Sequence, residues 1–198
     1  MYKQIRTNVA AGKREKNRMY DQDVAETIDR VIRRVPDFPK PGILFYDITS
    51  ILADPSSFKL VIDTMERCYK ADAFDAVAAI EARGFVFASP FAIRTGIPLT
   101  LIRKAGKLPG ETLSQKISLE YGEDELHVHT ADVPSGGRVL LVDDLIATGG
   151  TLSGAVELIR KGGGEVSDLF GVVGLPFLNY AQKLPDLKVT TLVDYQGE

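Results

Sequence analysis

The chain has 198 residues, 44% hydrophobic and 26% charged, the make-up of one soluble globular domain, which excludes disordered and fibrous classes. Its 24 basic and 27 acidic residues leave a net charge of −3, so the surface as a whole suits no nucleic acid and any bound phosphate must be held locally. A single cysteine, Cys68, excludes an internal disulfide, and one sulfur with two histidines argues against structural zinc. There is no apolar run near the roughly 20 residues of a membrane span and no apolar leader, so a cytoplasmic protein without nucleic-acid or membrane partners is expected.

Residues 1–20 form a basic N-terminal extension carrying Lys3, Arg6, Lys13, Arg14, Lys16 and Arg18. It reads as solvated and poorly ordered, with an arm for RNA or membrane as the alternative. Residues 21–198 form a single domain. Val24, Ile28, Ile32 and Val35 recur at helical spacing, predicting a helix over 21–35 with Asp23 as its cap. Pro36, Pro39 and Pro41 end it. Asp54-Pro55 opens a second helix with Phe58, Ile62 and Met65 on one face. Ala76–Ile80 is a continuous apolar run, the mark of a strand buried on both faces. A helix over 84–95 and a strand over 99–102 follow. The polar stretch 104–115 has no period, and segments 116–121 and 125–130 alternate around Gly122 as a hairpin would. A buried strand over 138–143, a helix over 150–161 stopped by three glycines, and strands over 166–174 and 189–193 complete the chain. Buried strands alternating with helices predict an α/β fold: a doubly wound, mainly parallel sheet flanked by helices, with an inserted β-hairpin and flexible loop. Ligands of such sheets bind beyond the carboxyl ends of the strands.

The strongest local pattern is Val139 to Thr151. Four apolar residues lead to Asp143 and Asp144, and then Ala147, Thr148, Gly149, Gly150 and Thr151 form a turn that starts a helix. Unbonded amides and the positive end of the helix dipole make that turn an anion site, which the glycines let a phosphate approach closely. The carboxylates suit vicinal sugar hydroxyls, so the segment reads as a ribose-5-phosphate cradle. No Walker lysine and no G-x-G-x-x-G turn is present.

Val139–Thr151 resembles the phosphoribosyl diphosphate (PRPP) motif of the type I phosphoribosyltransferases. Phe38–Thr49, Glu81–Phe85, Ile102–Gly110 and Ser118–Gly122 are similar to segments of the adenine-using branch of that family. The resemblance runs from about residue 21 to the C-terminus. It implies that Arg83 and Gly84, with Arg103, Lys104 and Lys107, hold pyrophosphate, Arg103 doing so across a homodimer interface and Lys107 from a lid. It also implies a cis peptide between Glu81 and Ala82, and Glu120 as the acid/base that handles a purine proton beside Tyr121. Phe45 and Leu175 would sandwich the base while backbone groups of Leu44 and Tyr46 read its edge. Tyr46 stands where some family members carry arginine. Mg2+ would arrive with PRPP, held by substrate oxygens and water and not by a protein metal site. His127 and His129 share one strand face without a third ligand and read as exposed. The implied reaction makes AMP and pyrophosphate from adenine and PRPP. A transferase for xanthine, hypoxanthine or guanine, and a PRPP-sensing regulatory protein, are the alternatives.

Overall fold

The computed structural model describes residues 14–119 and 122–197, with side chains over 22–117 and 123–197. Nine strands and five α-helices are formed there: α1 (Arg14–Val31), β1 (Arg33–Pro36), β2 (Leu44–Asp47), α2 (Thr49–Ala53), α3 (Pro55–Cys68), β3 (Ala76–Ile80), α4 (Arg83–Thr95), β4 (Leu99–Lys104), β5 (Thr112–Leu119), β6 (Gly122–His129), β7 (Arg138–Ile146), α5 (Gly150–Lys161), β8 (Glu165–Gly174) and β9 (Lys188–Asp194). Seven strands make one sheet in the order β5-β6-β4-β3-β7-β8-β9, and β1 pairs with β2 as a separate antiparallel ribbon. From β4 to β9 the sheet is parallel, while β6 and β5 add antiparallel edges. The expected doubly wound α/β architecture with an inserted hairpin is present.

Alternation along the parallel strands builds two cores. Val77, Ala79, Leu140 and Val142 face the layer of α1, α3 and α4. Ala76, Ala78, Val139 and Leu141 face α5 and the hairpin. The chain moves from β3 to β4 on one side of the sheet and returns to β7 on the other. That reversal opens a crevice between the carboxyl ends of β3 and β7.

Three boundaries differ from the sequence expectation. The first helix starts at Arg14, with Asp23 inside it, and stops at Val31 because residues 33–36 pair with β2 as strand β1. Two prolines downstream therefore follow a strand, and a tertiary pairing overrides the helical spacing of Val35. The stretch without period is also partly regular: Thr112–Leu119 is β5, paired residue for residue with β6. Third, β7 continues through both aspartates to Ile146, so the carboxylates sit within the strand. Asp54-Pro55 opens α3 as expected, and the structure adds that the Asp54 carboxylate caps it, accepting from the Ser57 amide at 2.8 Å.

Candidate active site

The crevice is lined from both strands. On the β3 side the chain turns through a cis Glu81–Ala82 peptide into α4, which begins at Arg83. Gly84 is pressed so closely on β7 that a Cβ there would lie 2.9 Å from the Val142 carbonyl oxygen and 3.2 Å from Asp143 Oδ1. Only glycine lets the helix start approach the aspartates this nearly. On the β7 side, Asp144 continues the face of Leu140 and Val142 toward α4, and Arg83 Nε donates to its Oδ2 at 2.5 Å. Asp144 is 4% exposed, so the guanidinium compensates a buried charge. Burial opposes the charge of Arg83, yet the Asp144 carboxylate outweighs it and raises the arginine above its ordinary value. Asp143 is pushed well above the usual carboxylate range, by burial first and by the neighbouring Asp144 charge second. Its Oδ1 accepts from the Asp144 amide at 2.9 Å.

Past Ile146 the chain turns through Ala147, Thr148 and Gly149 into α5. Gly149 caps that helix in the left-handed region at φ +77°, where a side chain would also meet Tyr180 at 3.2 Å. The first amides of α5, at Gly150 and Thr151, have no acceptor within the helix and face the same end of the sheet as Arg83. The turn therefore offers donors and a positive dipole end, and the paired arginine and aspartates stand beside it.

The other cationic side chains are grouped at the end of β4. Arg103 donates to both oxygens of Glu81 at 3.1–3.2 Å and to the Lys107 carbonyl at 3.0 Å. Those bonds hold the Glu81 carboxyl below its ordinary range. Lys104 is paired with Asp124 of β6 at 2.8 Å. Lys107 is exposed on the turn that follows.

The ribbon β1–β2 supplies the third wall. A cavity of about 450 Å³ is lined by Val35, Phe38, Phe45, Tyr46, Asp47, Ile48, Thr49 and Arg83. Phe38 stands edge-on to Phe45, ring centres 5.0 Å apart. Sequence reasoning singled out Leu44, Phe45 and Tyr46 here and passed over Phe38, Asp47 and Thr49. The signal for Asp47 was the two-residue strand period that puts it on the face of Phe45. Arg33 Nη1 donates to Asp47 at 2.8 Å, and Asp47 is held low mainly by the Thr49 hydroxyl. Leu44 and Leu175 do not line this cavity; both are half-buried and pack on the core beneath the ribbon.

Two further expectations meet different outcomes. His127 is half-buried, 3.3 Å from the Thr112 hydroxyl and from a Glu125 oxygen, and so is not on an exposed face. Its cross-strand neighbours on the same face, Arg103 of β4 and Ser114 of β5, screen it from solvent, and His129 is half-buried as well. Glu120 and Tyr121 lie outside the described residues, as do residues 1–13 of the basic extension. Among the described residues no three His, Cys, Asp or Glu side chains gather to hold a metal, and no helix is long and apolar enough to cross a membrane.

A helix start with unbonded amides thus stands at the switch point of a doubly wound sheet, and the strand leading into it is paired with an arginine from the end of the neighbouring strand. The phosphoribosyl transferase domain family matches residues 47–176, and the chain belongs to that family. It is 60% identical over 171 residues to an adenine phosphoribosyltransferase of Treponema denticola, covering 86% of this chain and 90% of the relative. The adenine phosphoribosyltransferase of Thermoanaerobacter pseudethanolicus superposes with a TM-score of 0.82 at 43% identity, over 86% of this chain and 99% of that one. That of Saccharomyces cerevisiae, solved with an imino-altritol bisphosphate and adenine, gives 0.80 at 34% identity, over 87% and 99%.

Proposed function

We propose that this protein transfers the phosphoribosyl group of PRPP to adenine, releasing AMP and pyrophosphate. The observation that carries the reading is the pairing of Arg83, at the start of α4, with Asp144 of the strand that leads into the turn 147–151 and α5. The 5′-phosphate fits the amides and hydroxyls of that turn, with Asp143 and Asp144 beside it for the ribose hydroxyls. Arg83 and Gly84, then Arg103, Lys104 and Lys107, provide cationic and amide donors for the leaving pyrophosphate. Adenine fits the aromatic cavity, one ring face against Phe45 and its edge toward main-chain groups of Tyr46, while Leu44 and Leu175 support that wall from the core. The likeness to adenine phosphoribosyltransferases supports this choice of base over a 6-oxopurine.

In the reaction the bond between ribose C1′ and the pyrophosphate oxygen breaks, its electrons leaving with pyrophosphate. A purine nitrogen bonds to C1′ through an oxocarbenium-like transition state and gives up its proton, which this reading assigns to Glu120. A lid bearing Lys107 would keep water from that carbon. Magnesium enters with PRPP as part of the substrate. Asp144 is engaged by Arg83, and burial with the Asp144 charge holds the Asp143 carboxyl above its usual range, a pair better suited to hydroxyls than to a bare cation. The working form is a homodimer, and the compartment is the cytosol, where the exposed Cys68 stays a thiol.

Purified protein given PRPP, magnesium and adenine, hypoxanthine, guanine or xanthine in turn should form AMP and release pyrophosphate, with little product from the other bases. A 6-oxopurine presents an acceptor where adenine presents a donor and leaves polar groups unpaired. IMP, GMP or XMP as the main product overturns the base assignment; PRPP binding without any nucleotide would favour a sensor.

A further inference from the structure

The ribbon β1–β2 lies outside the seven-stranded sheet, yet it carries the aromatic wall of the base cavity. Its two faces have different jobs. Val35 and Phe45 are cross-strand partners and both face the cavity. In the next pair, Arg34 and Tyr46, the side chains turn the other way, toward Tyr195, and Tyr46 still borders the cavity. There Tyr46 lies flat on Tyr195, ring centres 3.8 Å apart and planes within 7°. Tyr195 follows β9 directly, is 9% exposed, and donates its hydroxyl to Asp29 of α1 at 2.5 Å. The same Asp29 oxygen accepts from Arg34, whose guanidinium lies 5.6 Å over the Tyr195 ring. The Tyr195 amide donates to the Gly174 carbonyl at 3.0 Å, one residue before Leu175.

One side chain thus touches the ribbon, the first helix and the carboxyl end of the sheet. We infer that Tyr195 is a positioning residue for the base: its stack on Tyr46 and its bond to Asp29 set how far the Phe45 face stands from the carboxyl end of β8. It touches no reacting atom. Its effect on the reaction passes through β2, so it falls on the base and not on the phosphorylated sugar, whose turn is carried by β7 and α5. The inference rests on the cavity being the adenine site.

The test compares KM for adenine and for PRPP in wild type, Tyr195→Leu, Tyr195→Phe and Tyr46→Leu. Tyr195→Leu should raise the adenine KM about tenfold, the scale of an aromatic pair plus a buried hydrogen bond to a carboxylate, while the PRPP KM holds. Tyr195→Phe, which keeps the ring and folds more safely, should raise it about threefold. Adding Tyr46→Leu to Tyr195→Leu should change the adenine KM little further, because the stack between them is already gone. An unchanged adenine KM in both Tyr195 variants, or an equal rise for both substrates, overturns the inference. If wild type forms no AMP, the transferase reading falls and this one with it; if wild type turns over and the variants match it, only this one falls.

Discussion

Asp143 shows how function and stability pull against each other at a single residue. Burial and the Asp144 charge raise its carboxyl above the ordinary range, so the folded chain holds that proton more readily than the unfolded one. Ionising it therefore costs stability, beginning above the ordinary value near pH 4 and complete once pH passes the raised folded value. Asp143→Asn escapes this cost and can still accept from the Asp144 amide. The variant should melt with wild type near pH 4 and above it at pH 8, while turnover falls about tenfold to a hundredfold for want of a charged acceptor. Melting curves across that range with steady-state rates check both halves; a lower melting temperature at pH 8 would contradict it. The aspartates, the turn and Arg83 were all visible in sequence, since each sits at the end of a strongly apolar strand. Their mutual pairing was not, because Arg83 and Asp144 are 61 residues apart and only the register of β3 on β7 joins them.

At the scale of elements, the hairpin β5–β6 comes closest to α5 at one point. A Cβ at Gly154 of α5 would stand 2.0 Å from Ile117 Cγ2, so helix and hairpin meet only because position 154 has no side chain. Gly154→Ala should cost about 1–3 kcal/mol by overpacking, partly offset by better helix propensity, and loosen the hairpin first. Hydrogen exchange should quicken in β5 and β6 well before β7 and β8; uniform exchange through the sheet would speak against it. Long apolar strands and α3 were legible because period and cap agree locally. The ribbon was not: β1 carries helical spacing, and only pairing with residues 44–47 makes it a strand. That hidden element is why Phe38 and Asp47 went unread.

For the whole molecule, the proposed dimer makes a claim that one chain cannot. Arg103 is held within its own chain by Glu81 and the Lys107 carbonyl, whereas the family likeness implies that it serves a neighbouring site. Mixing Arg83→Gln chains with Arg103→Ala chains separates these. If Arg103 acts across the interface, half of the randomly mixed dimers hold one intact site, and about a quarter of wild-type activity returns. If Arg103 serves its own chain, no activity returns, since every site then lacks one arginine.

The pairing of Arg83 with Asp144 has a last consequence for how a ligand would be gripped. The guanidinium commits its Nε to the aspartate and keeps both Nη groups, on a half-exposed side chain, for another anion. Under the proposed reaction one arginine then ties the departing diphosphate to the carboxylate beside the pentose. A ligand bearing only the sugar half leaves those donors unfilled, so an intact diphosphate ester would be favoured over its fragments before any chemistry begins.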